Sequence, residues 1–130
     1  MNSANLAEAT PHPKAARILL ASWLAVLSWA ELVIVVILLI AGLVTKRPEL
    51  STPFMLVLGL LVCTVGLYVV VAFPLKCMHC ERRFLFETLG AKAPQARRRG
   101  RLDYWATAVI DVILLRRVTC MYCGTEHRVN

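Results

Sequence analysis

"FMLVLGLLVCTVGLYVVVAFPLKCMHC", residues 54–80, sets two kinds of chemistry side by side. Its first part, Phe54–Phe73, carries no charge and reaches the length of about 20 residues that a helix needs to cross a hydrocarbon layer. Pro74 then stops the helix, because its ring has no N–H to donate and clashes with the preceding turn. Cys77 and Cys80 follow at once, as a C-x2-C pair. Whatever folds after Pro74 therefore starts against the end of an apolar helix, with no stalk between.

Upstream lies a second apolar run, Ile18–Val44. At 130 residues and 58% hydrophobic, the chain is one domain's worth of sequence with too much apolar surface for a soluble core. The two runs predict a transmembrane hairpin over residues 14–75, with helix one from about Lys14 to Val44 and helix two over Phe54–Phe73. A cleaved signal peptide is the rival reading of the first run, but its apolar core far exceeds the roughly 7–15 residues of such a segment. Residues 1–13 are small and polar, contain two prolines, and read as a flexible tail.

Charge sets the expected orientation. Residues 76–130 carry eleven Lys/Arg against five Asp/Glu, a net of +6, while residues 1–75 carry +1. Short cytoplasmic flanks collect Lys and Arg, so both termini are expected on the cytoplasmic side of an inner (plasma) membrane, with Thr45–Pro53 as an outer loop.

Within helix one, Lys14, Arg17, Ala21, Ser28 and Glu31 recur at helical spacing and share a face. Small and polar residues on a membrane helix usually meet another helix. Glu31 lies about 21 Å along the axis from Arg17, too deep to face lipid cheaply. It is therefore expected to be hydrogen-bonded within the chain, displaced toward an interface, or in contact with a partner helix. The last reading is preferred and assigns Ala21, Ser28 and Glu31 to a partner contact. Gly59 and Gly66 of helix two are expected to pack closely on helix one, and Cys63 is a small apolar side chain without a role.

Beyond the hairpin, "RRFLFE" reads as a short strand and "TLGAKAPQARRRGRL" as a loop. Asp103 is a plausible N-cap for a helix over Tyr104–Leu115, with Asp103, Thr107 and Asp111 as its one polar stripe. "RRVTC" and "TEHRV" read as strands around a second pair, Cys120 and Cys123.

Cys77, Cys80, Cys120 and Cys123 thus form C-x2-C, 39 intervening residues, and C-x2-C. Two such pairs can present four thiolates to one ion in a tetrahedral shell, and thiolates suit zinc or iron rather than calcium or magnesium. Gly124 follows the second pair, where a tight turn favours positive φ. Over Leu75–Asn130 the knuckles resemble a zinc ribbon, with a helix-bearing insertion longer than in the shortest ribbons. The resemblance implies a structural Zn2+ and a small α+β domain over residues 76–130, joined to the membrane helices.

Several rivals accompany that reading. Two disulfides would suit an oxidising compartment, which the charge argument disfavours. One C-x2-C could be a redox dithiol, although two of them favour a closed metal site. A rubredoxin-like iron centre is the closest competitor, but Glu81 stands after the first pair and acidic, aromatic-rich stretches are missing. His79, between the cysteines of a knuckle, and His127, beyond a complete set, are left out of the ligand set. Four cysteines with no open position describe a structural site, and no catalytic constellation is present.

The cluster Arg97, Arg98, Arg99 and Arg101 is read first as a contact for anionic lipid or a topology signal. A protein partner ranks second and nucleic acid third. The expected role is a small accessory or scaffold subunit on a larger membrane complex, with homo-oligomers compatible. The competing class is a membrane-anchored iron electron carrier.

Overall fold

The computed structural model describes residues 10–86, 93 and 102–129. The first long helix, α1, spans Ala15–Thr45 and the second, α2, spans Ser51–Ala72. At 31 residues, α1 is about 46 Å long. Lys46 ends it in the left-handed region, where its N–H bonds the Gly42 carbonyl, and a short 3-10 turn over Pro48–Leu50 reverses the chain. Both helices are long and apolar enough to cross a membrane, and most of their side chains point outward.

The seam between them follows a spacing of three and four along α2 through Phe54, Leu58, Leu61, Thr64, Tyr68 and Ala72, which are held back from the surface together with Pro53, Val57 and Val71. Gly59 and Gly66 lie on the opposite side. A Cβ built on either meets nothing within 4 Å, so neither glycine permits a close helix approach. A helix that is apolar all round carries no sequence signal for which face turns inward.

Helix α3 spans Tyr104–Leu115, the range its pattern predicts. Asp103 sits at the N-cap in extended conformation but makes no side-chain cap bond. Arg116 closes the helix at φ 52° and leads into β2, Arg117–Thr119, which pairs antiparallel with β3, Glu126–Arg128. A third strand completes the sheet from the other end of the chain. Thr10–Pro11, β1, runs parallel to β3, giving the order β1-β3-β2.

Residues 10–13, expected within a flexible tail, are therefore tied to the sheet, and the rest of that tail lies outside the described residues. The His12 N–H bonds the Arg128 carbonyl at 3.0 Å, and the His12 side chain is buried. The strand expected at "RRFLFE" does not form over residues 82–86, which turn irregularly. Their carbonyls take side-chain partners instead of a ladder: the Tyr68 hydroxyl donates to Leu85 at 3.0 Å and the Tyr122 hydroxyl to Phe86 at 3.2 Å.

One core joins the parts. Ile18, Ala21 and Ala25 of α1 pack with Ala72 and Leu75, then with Phe84 and Leu85, Val109 and Val112 of α3, and Val118 and Val129 of the sheet. The small residues of α1 let α3 lie against it, and Trp29 meets Trp105 edge-on at 5.4 Å. Each buried aliphatic side chain contributes roughly 1.5–3 kcal/mol. Those contributions are shared across residue 75, so the cysteine-bearing part and the helical hairpin are continuous in packing.

Candidate metal centre

The two knuckles repeat one backbone design. In the first, the Glu81 N–H bonds the Cys77 carbonyl at 3.0 Å and the Cys77 N–H bonds Arg82 at 2.9 Å. In the second, Gly124 bonds Cys120 at 2.9 Å and Cys120 bonds Thr125 at 2.9 Å. The residue after each pair adopts positive φ, 56° at Glu81 and 76° at Gly124. This turn aims amides inward: those of His79 and Cys80 pull the Cys77 thiol's pKa down, and those of Tyr122 and Cys123 pull down that of Cys120.

All four Sγ atoms lie within 4.8 Å of one another. Cys77 Sγ is 3.6 Å from Cys123 Sγ, and Cys80 Sγ is 3.6 Å from Cys120 Sγ. A tetrahedron with metal–sulfur bonds of about 2.3 Å has edges of about 3.8 Å, so these sulfurs already sit near the corners of a metal site. A disulfide requires about 2.05 Å, and all four are free thiols. The set can hold zinc or iron.

The thiols differ in electrostatics. Burial pushes Cys77 and Cys120 up from the ordinary thiol range, against the pull of their amide donors. Burial acts in the same direction on Cys123, but bonds with the Thr125 hydroxyl and N–H and with Cys120 and Cys77 outweigh it and bring the thiol to about 6. Cys77 and Cys120 are fully covered, whereas Cys80 and Cys123 reach the surface in part.

Two histidines support the cluster without joining it. His127, the buried centre of β3, lies with Nε2 3.3 Å from Cys77 Sγ. Burial lowers its pKa, with His12 and His79 adding repulsion. A neutral ring with Nε2–H donating to the Cys77 sulfur suits that position. His12 accepts the Lys14 N–H on Nδ1 at 3.1 Å, which assigns Nε2–H as donor to the Lys76 carbonyl at 3.3 Å. It thereby ties β1 to the first knuckle and meets the His127 ring edge-on at 5.5 Å. Sequence reasoning missed both roles. In "TEHRV", strand alternation alone turns His127 opposite to Glu126 and Arg128, whereas no pattern marks His12.

The other expected site residues do not gather here. Glu31 turns into the hairpin, where the Thr64 hydroxyl shares its proton between Glu31 Oε1 at 3.2 Å and the Leu60 carbonyl at 3.0 Å. Ala21 is buried in the core, and the Ser28 hydroxyl bonds the Leu24 carbonyl at 2.9 Å. Two of the three residues assigned to a partner helix are thus covered by this chain's own elements, because α3 and α2 reach the same small-residue face. Arg97, Arg98, Arg99 and Arg101 lie outside the described residues. Comparison with protein-family models, curated proteins and solved structures found no match.

Proposed function

We propose that this chain is a small membrane-anchored zinc module that acts by binding and assembly, as an accessory or scaffold subunit docked on a larger membrane complex. The observation that carries this reading is the closed tetracysteine cluster on a core shared with α1 and α2. Four sulfur ligands leave no open position for substrate or activated water, so the metal's work is structural. Zinc is preferred to iron because it needs no redox environment and is commonly bound by such knuckles.

The hairpin is read as spanning the membrane. A core helix of a soluble protein would be mostly buried, whereas only 22% of the most apolar window of α1 and 6% of that of α2 are covered. Counting about 20 residues from the Lys46–Leu50 turn puts the other face of the hydrocarbon near Ala25 and Val71. Trp29, Tyr68 and Trp105 then fall near the interface, where amphipathic aromatics concentrate. Lys/Arg excess after Pro74 assigns the ribbon side to the cytoplasm.

A second reading, a membrane-anchored iron carrier, draws on the partial exposure of Cys80 and Cys123, which would admit an electron partner. Purification in mild detergent tests both readings. The scaffold reading predicts a colourless protein eluting with other membrane chains at fixed stoichiometry. A red protein with ferric-thiolate absorbance supports the carrier, and a colourless chain eluting alone removes the scaffold role.

A further inference from the structure

Arg17, Leu20, Val70, Val71 and Pro74 line an outward-facing groove of about 300 Å³ between the start of α1 and the end of α2. Leu20 and Val70 expose half or more of their surface there. At the mouth stands Arg17, exposed and without an ion-pair or hydrogen-bond partner among the described residues. The first turn of α1 carries no acidic side chain that could neutralise it. The groove is therefore aliphatic along its length and cationic at one end. The turn count from Lys46–Leu50 puts Val70 and Val71 at the edge of the hydrocarbon, and Leu20 and Arg17, about 7 and 12 Å beyond Ala25 along α1, on its headgroup side.

We propose that this groove seats one anionic phospholipid, with its phosphate on Arg17, its glycerol ester region beside Leu20 and the start of one acyl chain against Val70 and Val71. The inference rests on the reading that α1 and α2 span a membrane. A guanidinium binds phosphate through a planar fork of donors, and the volume lies at the low end of the roughly 300–1,000 Å³ of small-molecule sites. That suits one chain rather than a whole lipid. A zwitterionic lipid presents the same phosphate, but its own cation offsets the attraction, so the preference is for a net negative headgroup.

The test uses the full chain with Arg97, Arg98, Arg99 and Arg101 changed to Gln, so that the basic loop contributes nothing. The protein is reconstituted in vesicles of equal phosphatidylcholine and phosphatidylglycerol, floated, extracted in neutral detergent and weighed by native mass spectrometry. One retained phosphatidylglycerol per chain is expected, preferred about fivefold over phosphatidylcholine, equivalent to about 1 kcal/mol for one basic residue near an anionic surface. Arg17→Gln should bring the ratio to about one, and Val70→Trp, which fills the groove, should reduce retention of both lipids. Unchanged preference in Arg17→Gln overturns the proposal, as does displacement of the lipid by millimolar inorganic phosphate, which would make this a site for the free ion. A chain that floats but retains no phosphatidylglycerol overturns this inference alone. One that fails to float overturns the membrane reading with it.

Discussion

Glu81 and Gly124 hold the same place in the two knuckles, and only one of them is glycine. An L residue in the left-handed region costs roughly 1–2 kcal/mol, and Glu81 sits there at φ 56°. Glu81→Gly is therefore expected to stabilise the metal-loaded protein by about 1 kcal/mol. Gly124→Ala, at φ 76°, should destabilise it by a similar amount, both read as shifts in thermal unfolding. His127 acts on the cluster through its Nε2, 3.3 Å from Cys77 Sγ. His127→Phe should keep the ring volume and weaken metal binding by roughly 10–100-fold, the usual effect of losing a bond to a ligand, measured by competition with a chromogenic chelator. The same competition has a predictable pH dependence. Cys77 and Cys120 are raised by burial, so at pH 7 the metal-free chain holds protons there that metal must displace. Affinity should rise with pH, about a hundredfold per unit from these two thiols. The slope should steepen below about pH 6, where Cys123 also takes up its proton. An affinity flat between pH 6 and 8 would contradict this assignment.

Among the elements, the packing of α1 and α2 makes opposite demands on small residues that look alike in sequence. Ala21 is fully buried in the shared core, so Ala21→Leu should overpack it and cost roughly 1–3 kcal/mol. Gly59 and Gly66 face open space, so alanine at either should be neutral or stabilise the helix by about 0.4–1 kcal/mol. Thermal unfolding followed by tryptophan fluorescence separates the two cases. A loss on Gly66→Ala as large as that on Ala21→Leu would show that the seam had been misplaced. The same contrast marks what was legible beforehand. The extents of α1, α2 and α3 follow from run length, Pro74 and the Tyr104–Leu115 pattern, and β2 and β3 follow from the second knuckle. The inward face of α2 was not legible, because nearly every residue on it is apolar. Nor was β1, whose two residues pair with a strand more than a hundred positions later. The loss of the "RRFLFE" strand depends on two tyrosine hydroxyls from distant elements, which local propensity does not encode. The clustering of the four cysteines was legible because two C-x2-C turns fix their own thiol geometry, while the His127 and His12 supports arise only from the sheet.

At the scale of the molecule, the cysteine cluster and the hairpin are one packed body. Ile18, Ala21 and Ala25 belong to the same core as Val118 and Val129. Loss of the metal is therefore expected to reach α1, exposing Trp29 and Trp105 to a change in fluorescence rather than loosening the knuckles alone. Sidedness is checked with a membrane-impermeant thiol reagent on intact cells after a permeant chelator. Cys77 and Cys120 should stay unlabelled while an external control thiol reacts, and labelling from outside would invert the assigned orientation. The central claim is that four cysteines from two distant knuckles hold one structural metal. It is tested most directly by elemental analysis of the detergent-purified full chain beside a Cys80→Ser/Cys123→Ser variant, each with its intact mass. One zinc per parent chain, none in the variant, and four reduced thiols in the knuckles of the parent are expected. A parent chain without zinc or iron, or one whose mass shows the knuckle thiols paired as disulfides, would contradict the account.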